Sequence, residues 1–192
     1  MTCCIGYKTD KMIYFVADTA GTDDGGAQET RSDLKVFKIK NILFAVSGSF
    51  RMRDILMYNL ELPKRNRRES TDKYIHCKLI NSIREILIDN GACIKTDESE
   101  NTCPGEILIG IDNRIYKIES DFQIGETNRP YNVIGSGFRE ASAALDMYHL
   151  CKNTKTITDE EIKDMFSKVF DITANRNTSV NNIIHLESIE IK

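Results

Sequence analysis

Short apolar runs open the chain. Cys3–Lys8 and Met12–Ala17, parted by Thr9-Asp10-Lys11, predict two strands joined by a hairpin turn. Thr19–Ser32 is polar and carries Gly21, Gly25 and Gly26, which predicts a loop or irregular excursion. Leu34–Ile39 and Ile42–Val46 predict a second strand pair across Lys40-Asn41, so that four strands come first.

The period then changes. After Ser47-Gly48-Ser49, the positions Met52, Ile55, Leu56 and Leu60 fall at helical spacing, predicting a helix over Ser49–Leu60. A longer helix is predicted from Ser70, with Ile75, Leu79, Ile83, Ile86 and Leu87 as its buried stripe and Asn90-Gly91 as its stop. Lys95–Thr102 reads as polar loop. Strands return at Glu106–Ile111 and Arg114–Glu119 around the turn signal Asp112-Asn113, and Asp121–Ile124 and Tyr131–Ile134 extend the β region across Gly125–Pro130. Gly135-Ser136-Gly137 leads into an alanine-rich helix ending near Cys151. Thr158-Asp159-Glu160-Glu161 has the form of a capping box ahead of a helix burying Ile162, Met165, Phe166, Val169 and Phe170. A last strand is predicted within Asn182–Ile191.

Runs of strands separated by pairs of helices do not alternate as in a doubly wound parallel sheet, so an α+β architecture with two sheets sandwiched between helix layers is expected. The 192 residues, 41% of them hydrophobic, suffice for one domain spanning 1–192 with a proper core. Charge adds little: 26 basic against 29 acidic residues give no pull toward nucleic acid or an acidic membrane surface. The basic stretch Lys64-Arg65-Asn66-Arg67-Arg68 reads as a solvated loop. No apolar run approaches the roughly 18 residues of a membrane span, and no secretory leader is recognisable at the start. A soluble cytoplasmic protein is expected.

The six cysteines form no Cys-x-x-Cys, and His76, His149 and His185 lie far apart without ligand spacing. Reduced thiols and no metal are expected, with Cys77 and Cys151 as small buried hydrophobes inside helical patterns.

The start of the chain carries candidate chemistry. If Met1 is removed, as is general before a small residue, Thr2 holds a hydroxyl nucleophile and a free α-amine on one residue, and the amine can take the proton of the hydroxyl. The amine suits the task because its ordinary pKa, about 7.7–8.0, lies near working pH, whereas that of a lysine is about 10.4. Taken singly, the residues that follow have plainer readings: Asp18 as a strand-end turn former, Lys35 as a solvated strand lysine, Gly-Ser-Gly as a turn before a helix.

Their order is more specific. Thr2, Ala17-Asp18, Lys35-Val36-x-Lys38-Ile39 and Ser47-Gly48-Ser49 resemble the N-terminal half of proteasome β subunits and of the bacterial two-component proteasome-like peptidase. Ser49-Phe50-Arg51-Met52, Asp121-Phe122-Gln123-Ile124-Gly125 and Ile134-Gly135-Ser136-Gly137 are similar to segments of short bacterial and phage proteasome-like proteins. The resemblance covers nearly the whole chain and points to the N-terminal nucleophile hydrolases. It implies a four-layer αββα fold with Thr2 at the mouth of a cleft, and a threonine peptidase acting through an acyl ester on Thr2. Lys35 would supply a positive charge beside the nucleophile, Asp18 would hold that lysine, the Gly48 N–H would donate to the oxyanion, and Ser136 would orient the amine and the attacking water.

One departure stands out. Family chains carry an acid three residues before a Ser or Thr ahead of the last strand; the matching segment reads Asn175-Arg176-Asn177-Thr178, with Asn175 for the acid and Thr178 as its partner. Asp171 is an alternative placement within a helical context. The resemblance further implies a homo-oligomeric ring, peptide or unfolded-protein substrates, no cofactor, and a separate ATP-dependent unfoldase, since no Gly-x-x-x-x-Gly-Lys-Ser/Thr loop occurs here. A small-molecule amidase or acylase, and a non-catalytic assembly subunit, remain open alternatives.

Overall fold

The computed structural model describes residues 2–23, 26–93, 102–152 and 157–191. Strand β1 (Cys4–Lys8) turns into β2 (Met12–Asp18). The Thr9 hydroxyl closes that turn by accepting from the N–H groups of Lys11 at 3.2 Å and Met12 at 3.0 Å. Where the sequence predicts an irregular excursion, β3 (Ala20–Thr22) and β4 (Gln28–Thr30) form a small antiparallel ribbon. Every residue of β4 is exposed, so no apolar alternation marked it. Next come β5 (Val36–Ile39) and β6 (Ile42–Gly48), which raises the count before the first helix to six strands.

Ser49 caps α1 (Phe50–Asn59), its hydroxyl accepting from Met52 N–H. The long helix predicted from Ser70 is interrupted: α2 (Thr71–Tyr74) passes through a π-helical turn, Ile75–Leu79, into α3 (Ile80–Asp89). The predicted loop Lys95–Thr102 lies outside the described residues up to position 101. Strands β7 (Gly105–Ile111) and β8 (Arg114–Ile118) form the expected hairpin, with Asp112 at φ 54° in the turn. Two short strands, β9 (Ile124–Glu126) and β10 (Tyr131–Ile134), precede α4 (Phe138–Cys151). Helix α5 (Asp159–Arg176) opens on the reciprocal capping box of Thr158 and Glu161, and β11 (Ile184–Glu190) completes the chain's regular structure.

Two antiparallel sheets result, one in the order β10-β1-β2-β11 and the other β5-β6-β7-β8-β9. Strands β9 and β10 thus do not pair across Gly125–Pro130 but end in different sheets, because β10 is taken by β1 and β9 by β8. Side-chain alternation explains the layering. Along β1 and β2, Ile5, Tyr7, Tyr14 and Val16 face α4 and α5, while Cys4, Ile13, Phe15 and Ala17 meet Leu43, Ala45 and Leu108 between the sheets. Along β6 and β7, Phe44, Val46, Ile107 and Ile109 face α1 and α3. Strands buried on both faces read as near-continuous apolar runs, as these do. The fold is α+β, a four-layer αββα sandwich.

Cys77 and Cys151 are exposed rather than buried, and all six cysteines are free thiols. Cys77 sits on the outer side of the π-helical turn, off the Ile75 and Leu79 stripe that packs into the core. Among the described residues no helix is long and apolar enough to cross a membrane. Phe166 is fully buried, edge-on to Tyr7 with ring centroids 6.1 Å apart. Phe166→Ala is expected to cost about 3–5 kcal/mol, read as a lower urea midpoint at unchanged m-value.

Candidate active site

Thr2 stands two residues before β1, whose first residue Cys4 pairs with Ala17 on one side and Ile134 on the other. Cross-strand pairing on both sides fixes the backbone where a chain start is ordinarily loose. Thr2 itself is 4% exposed. Its N–H donates to Ser136 Oγ at 3.2 Å, and its carbonyl accepts from Ser136 Oγ at 3.3 Å and from Gly137 N–H at 3.2 Å. Gly135 makes this contact possible. It has φ +92°, and a Cβ there would lie 2.2 Å from the Thr2 carbonyl oxygen.

Asp18 ends β2 with its carboxylate fully buried. Oδ1 accepts from Cys3 N–H at 2.8 Å and from Lys35 Nζ at 2.9 Å, and Oδ2 accepts from Ala20 N–H at 3.1 Å. Two backbone donors and one ammonium thus replace the water the carboxylate gave up. The Lys35 side chain is 3% exposed and lies just ahead of β5, its carbonyl held by Val46 N–H at 3.0 Å. Without such a partner an ammonium so deeply buried would lack compensation for its lost hydration.

Gly48 ends β6 at φ +95°, and a Cβ would come within 2.1 Å of the Pro104 carbonyl oxygen, so this turn also requires glycine. Thr2, Lys35 and Gly48 line one pocket together with Val46, Ser49, Phe50 and Arg53. Ser136 holds Thr2 from its backbone side, and Asp18 holds Lys35 from behind. Five of the sequence-predicted residues therefore converge: Thr2, Asp18, Lys35, Gly48 and Ser136. In the chain as translated, Thr2 N is the amide of the Met1-Thr2 bond; removing Met1 converts that same nitrogen, still beside Ser136 Oγ, into an amine.

The remaining two fall elsewhere. Asn175 is exposed in the last turn of α5, and Thr178 is exposed with its carbonyl accepting from Gln28 Nε2 at 3.0 Å. Asn177, two residues beyond Asn175, is the residue that reaches the site: its Nδ2 donates to the Ser136 carbonyl at 2.9 Å, and its Oδ1 accepts from Ser179 N–H at 3.1 Å. Helix α5 runs to Arg176 and carries Asn175 outward, so the loop that faces Ser136 begins later than the sequence comparison placed it. Asp171 is likewise engaged elsewhere, accepting from Asn182 Nδ2. Arg53 and Phe50 also escaped the sequence reading. Their one signal was an i, i+3 spacing directly after the Gly48 turn, which sets both toward the same end of α1.

The arrangement places an alcohol, a buried ammonium and a glycine backbone in the left-handed region around one small opening. The thiols beside it are poor nucleophiles. Burial pushes the Cys3 thiol well above its ordinary range and does the same to Cys4.

Solved structures share this architecture. BPH from Thiobacillus denitrificans in complex with epoxomicin matches with a TM-score of 0.77 and 15% identity over 99% of each chain. Eukaryotic HslV from Trypanosoma brucei matches at 0.66 and 15% identity, covering 98% of this chain and 99% of that one. The Anbu complex from Pseudomonas aeruginosa, described as a helical assembly, matches at 0.67 and 15% identity over 98% of this chain and 81% of that chain. At such identities the likeness is one of fold, and the fold is that of the N-terminal nucleophile hydrolases. A search of curated protein sequences gives no match. The sequence model described as proteasome subunit matches residues 1–189, and the chain belongs to that family.

Two outcomes test the site as a physical unit. Asp18→Ala strands a buried ammonium and is expected to destabilise the protein by about 3–5 kcal/mol, with Asp18→Ala/Lys35→Met recovering part of the loss in denaturant unfolding. Iodoacetamide on the native protein at neutral pH is expected to modify Cys77 and Cys151 while leaving Cys3 and Cys4 unmodified until denaturant is added, as read by peptide mass mapping.

Proposed function

We propose that this chain is an N-terminal threonine hydrolase, a peptidase that cleaves amide bonds through an acyl ester on Thr2 once Met1 has been removed. The observation that carries the reading is the buried Lys35–Asp18 pair, 2.9 Å long, whose Lys35 lines the pocket that Thr2 also lines. Bringing two charges out of water beside a hydroxyl is costly for stability alone, and it is the electrostatic environment a weak alcohol nucleophile needs.

In this reading the freed α-amine of Thr2, held by Ser136 Oγ, accepts the hydroxyl proton as Oγ attacks the substrate carbonyl carbon. The Lys35 ammonium favours the developing alkoxide and disfavours a protonated amine, so it acts by charge rather than by exchanging protons. Asp18 positions it. The Gly48 N–H donates to the oxyanion, a contribution of about 2.7–4 kcal/mol for one such donor. The amine returns its proton to the leaving amine, and water, oriented at Ser136, then hydrolyses the ester. No cofactor enters these steps. Asn177 takes the place facing Ser136, and as a neutral amide it holds geometry without adding charge.

The protein acts in the cytoplasm as a homo-oligomer that secludes Thr2, a reading supported by the assembly described for the Anbu relative. Peptides and unfolded proteins are its substrates, and folded ones require a separate ATP-dependent unfoldase. A second reading, a non-catalytic assembly subunit, is favoured by one observation: an amide rather than a carboxylate faces Ser136.

Three measurements decide between them. Intact mass is expected to show Met1 absent. Epoxomicin, the compound in the BPH complex, is expected to add to Thr2, since its ring adduct takes both a free amine and the adjacent hydroxyl. Thr2→Ala is expected to abolish peptide cleavage with the thermal melt unchanged. Retained Met1 together with no adduct makes the assembly subunit the correct reading.

A further inference from the structure

At the end of the sandwich that holds Thr2, β7 carries a carboxylate on its inner face. Alternation along the strand turns Ile107 and Ile109 toward α1 and α3, so Glu106 shares with Leu108 the face that looks toward the other sheet. Its side chain spans the gap between the sheets. Oε2 accepts from Gly135 N–H, just past β10, at 3.1 Å, and Oε1 lies 2.6 Å from Lys117 Nζ on β8. Lys117 also pairs with Glu119 at 3.0 Å. Burial alone would raise the Glu106 carboxyl, but the Lys117 ammonium and the Gly135 N–H outweigh it and hold the group below its ordinary range. It is an anion at neutral pH.

What Glu106 grips is the turn that anchors Thr2. In that turn Ser136 Oγ meets both the N–H and the carbonyl of Thr2, and Gly137 N–H donates to the same carbonyl. Two further bonds brace it from the helix layer: Phe138 N–H donates to the Gly135 carbonyl at 3.1 Å, and Asn177 Nδ2 to the Ser136 carbonyl at 2.9 Å. Glu106 braces it from the opposite sheet. In the ladder between β6 and β7, Glu106 faces Ser47 and its neighbour Gly105 faces Gly48. One residue thus joins the two left-handed glycine turns, paired along the strand to the turn that bears the Gly48 N–H and bonded through its side chain to the turn that holds Thr2.

Resting on the threonine-hydrolase reading, we propose that Glu106 is a positioning residue for the reaction at Thr2: by holding the Gly135 N–H from the other sheet, it sets the spacing between the nucleophile and the Gly48 oxyanion donor. It acts through Gly135 and Ser136, not on the substrate. The operative interaction is the hydrogen bond rather than the charge, which Lys117 offsets at close range. Reacting groups displaced by about an ångström lose rate out of proportion to binding, so the effect falls on kcat rather than on KM.

The test compares Glu106→Gln, Glu106→Asp and Glu106→Ala in the Met1-processed protein on a mixed set of fluorogenic tetrapeptides, with Glu119→Gln as control and Thr2→Ala as blank. Glutamine keeps the length and an oxygen for the Gly135 N–H, while Lys117 keeps Glu119; aspartate keeps the charge but is a methylene short; alanine keeps neither. For alanine and aspartate, kcat is expected to fall about ten- to hundredfold at nearly unchanged KM. Glu106→Gln and Glu119→Gln are expected to stay close to wild type. Hydrogen–deuterium exchange gives a second readout: over residues 133–138 it is expected to quicken in the alanine and aspartate variants and to keep the wild-type rate with glutamine. Aspartate and glutamine carry the comparison if the alanine variant does not fold. An active aspartate variant beside a crippled glutamine variant assigns the effect to charge and overturns the proposal, as does an equal loss in Glu119→Gln or an unchanged kcat in the alanine variant. If the wild type shows no Thr2-dependent cleavage, the hydrolase reading fails instead, and exchange alone decides: quickening that glutamine restores supports the grip on Gly135, and exchange unmoved by alanine and aspartate overturns it.

Discussion

The carboxylate of Asp18 is the point on which the rest of the site depends. It is fully buried, and three donors from three parts of the chain converge on it: the Cys3 N–H just ahead of β1, the Ala20 N–H entering β3, and the Lys35 ammonium before β5. One side chain thus ties the first strand of one sheet to the first strand of the other. Removing any donor would leave the others supporting a charge with too little compensation. The geometry is therefore set cooperatively, and Lys35 is held beside Thr2 by the same contact that holds the two sheets in register at their open end.

Around that centre, backbone does much of the positioning. Gly48 and Gly135 both take left-handed φ values at places where a Cβ would strike a carbonyl oxygen. Each lets two segments approach closely at the mouth of the sheets, Gly48 against Pro104 and Gly135 against Thr2. Asn177 then fixes the Ser136 carbonyl from the end of α5, so the helix layer also bears on the Thr2 backbone. Both sheets and both helix layers touch the site, α1 contributing Phe50 and Arg53 to its pocket.

Much of this was legible in the sequence, for identifiable reasons. Strands such as β2 and β6 are buried on both faces and show as unbroken apolar runs, and α5 is announced by its capping box and by a five-residue apolar face. Thr2, Asp18, Lys35, Gly48 and Ser136 were picked out through the family resemblance, and they sit at strand ends or glycine turns. What failed lay where no periodic burial constrains the residue. The β3–β4 ribbon is short, and β4 has no buried face. Asn175 was placed by matching Asn175-Arg176-Asn177-Thr178 to the family pattern, whereas α5 runs to Arg176 and Asn177 is the residue that bonds to Ser136. Cys77 was judged by residue type, although the Ile75 and Leu79 stripe leaves it on the outer side. The partners of β9 and β10 depend on which sheet edges were free, and no local pattern records that.

The placement of Thr2 at the threshold of a central strand has a consequence for when the chemistry proposed for it could exist at all. Cys3 N–H finds Asp18, and Thr2 finds Ser136 and Gly137, only after β1 has docked between β2 and β10. An unfolded or nascent chain carries an ordinary threonine, far from any ammonium or anchoring serine. On the proposed threonine-hydrolase reading, reactivity at Thr2 is conferred by tertiary structure as a whole, so a misfolded copy would be inert toward its neighbours.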